Sequence, residues 1–212
     1  MDWYILGSGP TVGMFPPSFY DNKNVVATNL VAERLGLYER DECLTLLTHS
    51  HYHAETYELA EKYPNYMFWT PKGDRGFEGS PGRTDLKNVF HYPHKPTSFD
   101  FTVDDAKPDN MTGLIVGSTS VHGSMHLACK FGATYGILVG VDCGAIDGKF
   151  NQAGYESGNL VTSDPLEWVT RWELHLRQVS NWLSQEYEVR FCSMNPYLNL
   201  NLEGHTWVGA KL

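Results

Sequence analysis

This 212-residue chain has no long apolar run. No apolar run approaches the roughly 20 residues that a membrane-spanning helix needs. The start, Met1-Asp2-Trp3-Tyr4-Ile5-Leu6, carries an acid where a secretory signal has basic residues, so no signal peptide is expected. Basic residues are also scarce. Sixteen Lys and Arg against 25 Asp and Glu leave a net charge of −9. That balance argues against a broad basic face for nucleic acid and leaves room only for a local positive pocket. Cysteine is sparse and scattered, at Cys43, Cys129, Cys143 and Cys192, with no CxxC pair. Three of the four sit in apolar runs, as buried free thiols do, so neither disulfides nor a cysteine metal site is expected. A reducing, cytoplasmic setting follows.

What is present is a core. The chain is 42% hydrophobic and 13% aromatic, enough for one globular domain. Short apolar runs at Trp3–Leu6, Asn24–Ala27, Leu44–Leu47, Asn65–Trp69, Val89–His91, Tyr135–Val141 and Glu188–Ser193 read as strands. Helical spacing is expected over Val31–Tyr38, Ala54–Tyr63, 119–131 and Pro165–Tyr187. Ser163-Asp164-Pro165 supplies an N-cap and a first-turn proline, and Gly132 suits a left-handed C-terminal cap. Residues 70–110 are rich in glycine, proline and charge, and are expected to form a loop-rich lid. Strand and helix in alternation predict an α/β, Rossmann-like fold: one domain over residues 1–212, a mostly parallel sheet and helices on both faces.

Such sheets bind ligands beyond the carboxyl ends of their strands. The polar groups expected there are Gly7-Ser8-Gly9-Pro10, Thr28-Asn29, Thr48-His49-Ser50 and Asp142-Cys143-Gly144, with Thr119-Ser120 opening a helix nearby. The glycine turn admits close approach of a phosphate. It is not GxGxxG, since Pro10 has no N–H and Gly13 falls one place late, and no GK[ST] follows for a Walker loop. Hydroxyls at a helix start suit an anion, although plain capping gives the same pattern. His122 and His126 stand four apart on one helix face. Tyr155, Lys149 and His175 are further candidates for acid–base work or a phosphate contact, with surface or core packing as the plainer alternative.

Three segments carry a resemblance. ILGSGPT is similar to the IxGxGPS opening of bacterial lipooligosaccharide sialyltransferases. TSVHGSMHLACKFGATYGILVGVDCG resembles their TSGxxxxxxAxxLGxxxIYLxGID segment without a gap, and SQEYEVRFCSMNPYLN resembles their closing strand. The glycine opening and GxD strand end also resemble archaeal MptE-type 6-hydroxymethylpterin pyrophosphokinases, whose DGK-like residues match Asp147-Gly148-Lys149. The resemblance implies glycosyl transfer from a nucleotide-activated sugar, CMP-linked in the first family, to an unknown acceptor. It requires no metal. Gly7, Ser8, Gly9, Pro10, Asn29, Thr48, His49, Thr119, Ser120, Asp142 and Gly144 would bind the donor. His175, Tyr155, His122 and Lys149 would be the catalytic set, with His49 or His51 as further candidates for the base. The chain departs from the family at Val121, where a Gly stands, at Gly144, where a Tyr stands, and near Arg171, where the catalytic His falls.

Three other readings stand beside it. Pyrophosphoryl transfer from ATP would need Mg²⁺, with Asp142 or Asp147 as ligands. The run Thr48-His49-Ser50-His51-Tyr52-His53 is similar to the THxHxDH element of metallo-β-lactamase-fold hydrolases, but has His53 and Ala54 where that element has Asp and His. A non-catalytic nucleotide-binding relative is the third. Homo-oligomeric assembly is left open.

Overall fold

The structure is a computed structural model. It describes residues 1–40, 42, 45–51, 53–72, 83, 85–93, 107–108, 112–115, 119–143 and 165–195, the side chains of 165–170 excepted. The chain forms one seven-stranded sheet whose neighbouring strands all pair in parallel. Its strands are β1 (Asp2–Leu6), β2 (Asn24–Thr28), β3 (Thr45–His49), β4 (Met67–Pro71), β5 (Val89–Tyr92), β6 (Tyr135–Val139) and β7 (Arg190–Ser193). They lie in the order β5-β4-β3-β2-β1-β6-β7. The direction of winding therefore reverses between β1 and β6. Strand β2 is buried along its whole length, which is why it reads as an unbroken apolar run.

Helices cover both faces. On one lie α1 (Val31–Arg34) and α2 (His53–Lys62), packed with Leu6, Val25, Ala27, Leu46 and Phe68. On the other lie α3 (Ser120–Lys130) and α4 (Pro165–Tyr187), whose Met125, Leu127, Leu176, Val179 and Leu183 meet Trp3, Ile5, Val26 and Leu47. The α/β, Rossmann-like architecture with helices on both faces is thus the observed one.

Several boundaries move. The expected helix over Val31–Tyr38 is α1 followed by a 3-10 turn at Leu37–Glu39, because Gly36 turns left-handed at φ 66° between them. Strand β3 runs on to His49 and β6 stops at Val139, where Gly140 adopts φ 67°. The glycine turn enters a 3-10 turn at Pro10–Met14. Strand β5 lies within the expected lid and forms the sheet edge, and most other residues of that stretch lie outside the description. Helix α3 ends as expected: Gly132 has φ 83°, and the Ala133 amide donates to the Ala128 carbonyl at 3.0 Å. Cys129, Cys143 and Cys192 are free thiols, and Cys43 lies outside the described residues.

Candidate functional site

The carboxyl ends of β1, β2, β3 and β6 and the start of α3 lie along one edge of the sheet. At the winding reversal, the glycine turn and Asp142 hold each other. The Gly7 amide donates to the Val139 carbonyl at 2.8 Å and the Gly9 amide to the Gly140 carbonyl at 2.7 Å. Asp142 Oδ2 accepts from the Thr11 amide at 2.9 Å, while Oδ1 accepts from the Thr11 hydroxyl at 2.5 Å and from Asn195 Nδ2 at 3.0 Å. Gly140 in turn donates to the Thr11 hydroxyl at 2.9 Å. A Cβ on Gly9 would stand 2.4 Å from Asp142 Oδ2, and one on Gly7 2.5 Å from the Gly140 carbonyl oxygen.

This geometry corrects two expectations. Gly7 and Gly9 are small because the loop is packed onto the end of β6, and their N–H groups serve that packing rather than a phosphate. Asp142 is buried and ties the ends of β1, β6 and β7 together. Burial raises its pKa above the usual carboxylate range, and the bonds from Thr11 and Asn195 oppose that rise. Three donors, the Thr11 amide, the Thr11 hydroxyl and Asn195 Nδ2, already bond this carboxylate. Ser8 and Pro10 are the half-buried members of the turn.

A second group lies where α3 crosses the ends of β2 and β3. Ser124 Oγ meets Thr28 Oγ1 at 2.8 Å and His49 Nδ1 at 3.1 Å, and donates to the Ser120 carbonyl at 3.2 Å. His49 Nε2 is 2.7 Å from the Tyr92 hydroxyl, which is 3.2 Å from His51 Nε2. Asn29, at φ 53°, receives a bond from the His51 amide on its Oδ1 at 3.3 Å and donates its own amide to the His49 carbonyl at 2.8 Å. His49 is buried against α3, and a Cβ on Gly123 would stand 2.4 Å from its Cε1. The absence of a side chain at Gly123 is what admits the imidazole. His51, Asn29, Thr119 and Ser120 are half-buried around this group. Thr119 precedes α3 with extended φ and ψ, and makes no side-chain capping bond.

No family model, curated protein or solved structure matches the chain. The geometry alone sorts the candidates.

Thr48 faces away from this group and bonds the Tyr38 hydroxyl at 2.5 Å on the opposite side of the sheet. His122 lies within α3 opposite α4. Burial, and then the neighbouring His175, pushes its imidazole down to about 3. His175 is also buried and held below its usual value by burial and Arg171. His126 accepts from the Ile115 amide on Nδ1 at 2.9 Å, and its Nε2 bonds the Tyr187 hydroxyl at 2.7 Å. Burial brings it to about 3 as well. His122 and His126 thus share a face, as their spacing predicts, and that face belongs to the helix–helix core. The three histidines of the HSHYH run also diverge. His49 and His51 meet at Tyr92, whereas His53 turns to Tyr57, whose hydroxyl also lies 3.1 Å from His91 Nε2. Among the described residues no three His, Cys, Asp or Glu side chains gather as a metal site would require. Gly144, Lys149 and Tyr155 lie outside the described residues.

Sequence reading missed Tyr92, Ser124 and Gly123. Tyr92 falls one residue past the strand expected at Val89–His91, which runs on to Tyr92. The available signal was the alternation in Val89-Phe90-His91-Tyr92, which places Tyr92 on the face of Leu47 and Met125.

Proposed function

We propose that the protein transfers a sugar from a nucleotide-linked donor, CMP-linked by resemblance, to an acceptor hydroxyl. The site would lie at the carboxyl edge of the sheet, where Ser8, Pro10, Asn29, His51 and the first turn of α3 follow the strand ends. The observation that carries this reading is the meeting of two features at one edge. The amino end of an 11-residue helix, with no side-chain cap from Thr119, lies beside a hydrogen-bonded His–Tyr–His group. A helix start offers N–H groups and a positive dipole to a phosphate. A group that exchanges protons serves the acceptor hydroxyl. Stabilising the charge that builds on the departing phosphate is the main electrostatic task of such a reaction. No helix among the described residues is long and apolar enough to cross a membrane.

The test is thermal denaturation of the protein with CMP, CDP, UDP, GDP, ADP and ATP, each with and without Mg²⁺. A ligand that binds only the folded state raises the midpoint. Stabilisation by CMP without metal is the expected result and directs turnover assays to CMP-linked donors. Stabilisation only by ATP with Mg²⁺ would replace sugar transfer with pyrophosphoryl transfer. Binding without turnover of any donor would make the protein a nucleotide-binding module. No shift with any nucleotide would overturn the reading.

A further inference from the structure

The face of the sheet beneath α2 carries polar atoms that the fold leaves unmatched. Thr70 on β4 and His91 on β5 are register partners. Strand alternation puts them on the face of Phe68 and Val89, which pack with Leu59 and Ala60 of α2. His53 and Tyr57 stand one turn apart on that helix. The Tyr57 hydroxyl lies 3.1 Å from His91 Nε2 and 3.5 Å from His53 Nδ1, and accepts from the Arg83 amide at 3.4 Å. It has one hydrogen, so it donates to one ring and accepts from the other. Either order leaves His53 Nε2, a buried atom, with no partner. Thr70 Oγ1 has none either, and Thr70 is 0% exposed. Buried polar atoms are nearly always matched, so two orphans beside one Tyr–His pair point to a ligand.

The charge around these atoms has one sign. Lys72 stands exposed two residues beyond Thr70 and makes no ion pair among the described residues. Burial, then His53 and Lys72, hold the His91 imidazole below its ordinary value. The carboxylates on this side, Glu61 and Asp85, are taken by Arg83. We propose that Lys72, His53, Tyr57, Thr70 and His91 form a second ligand site, at the carboxyl ends of β4 and β5, that takes an oxyanion, a phosphate or carboxylate group. The Thr70 hydroxyl and His53 Nε2 supply donors inside the protein, and Lys72 supplies charge at the surface. A metal ion fits less well, since no third His, Cys, Asp or Glu joins the two rings among the described residues. The site lies on the opposite face of the sheet from Tyr92 and α3, and stands independently of the sugar-transfer reading.

The test is NMR of the assigned histidine rings on the full chain, titrated with sodium phosphate and with sodium acetate at an ionic strength held constant by chloride. His53 and His91 are expected to shift saturably with at least one of the anions, and the one that saturates tells phosphate from carboxylate. His122 and His126, buried in α3, are expected to stay still. The bound anion is expected to raise the His91 pKa by about one unit, because an opposite charge favours the charged ring. Lys72→Met, at an exposed position, is expected to weaken binding about tenfold. Thr70→Val removes the unmatched hydroxyl at nearly constant shape. It is expected to keep the urea midpoint of the anion-free protein and to lose most of the anion affinity. No saturable shift of His53 or His91 with either anion would overturn the proposal. So would a Thr70→Val protein destabilised without anion, since its hydroxyl would then be matched within the fold. Rings that respond to Zn²⁺ and to neither anion would replace the oxyanion with a metal.

Discussion

At the scale of single residues, the fold and the candidate site compete for the same polar groups. Asp142 shows how the fold takes one. The sequence places an acid at the end of an apolar strand, beside a glycine turn, where either a ligand or the chain itself could use it. What decides is the position of Thr11 and Asn195, which are 131 and 53 residues away along the chain and converge only when β1, β6 and β7 pair. No local spacing reveals that. Asp142→Asn would leave one oxygen to face three donors and put an amide N–H₂ against at least one of them. Hydrogen bonds to a charged group contribute about 1.5–3 kcal/mol each, and a buried donor left unmatched costs a similar amount. The variant is therefore expected to lose about 3 kcal/mol in a urea titration, with or without nucleotide. A midpoint equal to that of the unaltered protein would show that the carboxylate does not tie these strands together.

At the scale of elements, periodicity located the strands and the long helix because burial there repeats at a fixed interval. The run over Pro165–Tyr187 shows it best, with both ends matching. It failed where one glycine changes the backbone, as at Gly36, and it stopped one residue short of Tyr92 at the end of β5. The candidate site was legible in part. Asn29, Thr119 and Ser120 follow from the rule that ligands lie beyond strand ends. The pairing of Tyr92 with His49 depends instead on which face of the sheet the last residue of β5 takes. Helix α3 also has a second buried histidine with a purely structural task. His126 joins the 112–115 segment to the end of α4 through the Ile115 amide and Tyr187. Tyr187→Phe leaves the His126 Nε2–H inside the protein without its acceptor. It is expected to cost about 1–3 kcal/mol of stability. Faster amide exchange at Ile115 and through the last turn of α4 is expected with it. Loss of stability with exchange unchanged at Ile115 would sever the proposed link between those two segments.

At the scale of the whole molecule, the histidines placed between α3 and α4 make stability depend on pH. His122 and His126 both sit at about 3 in the folded protein, chiefly through burial. An unfolded chain returns them to about 6.5. Between those values the unfolded state binds more protons than the folded one, so stability is present above about pH 6.5 and is lost as the pH falls towards 3. Each depressed histidine contributes about 1.4 kcal/mol per pH unit inside that window. The pair therefore removes about 4 kcal/mol between pH 7 and pH 5. His175 and His91 are shifted in the same direction and add to the loss. Asp142 acts oppositely: its raised pKa favours proton uptake by the folded state, which offsets part of the loss at the acid end. Set against a domain stability of about 5–15 kcal/mol, the net effect is large enough to see directly. Urea midpoints are expected to fall steeply from pH 7 to pH 5, with proton uptake on unfolding approaching two per molecule. A flat profile over that range would mean that the imidazoles between α3 and α4 are charged or solvated in the folded protein, and that the packing of those two helices around them is not as described.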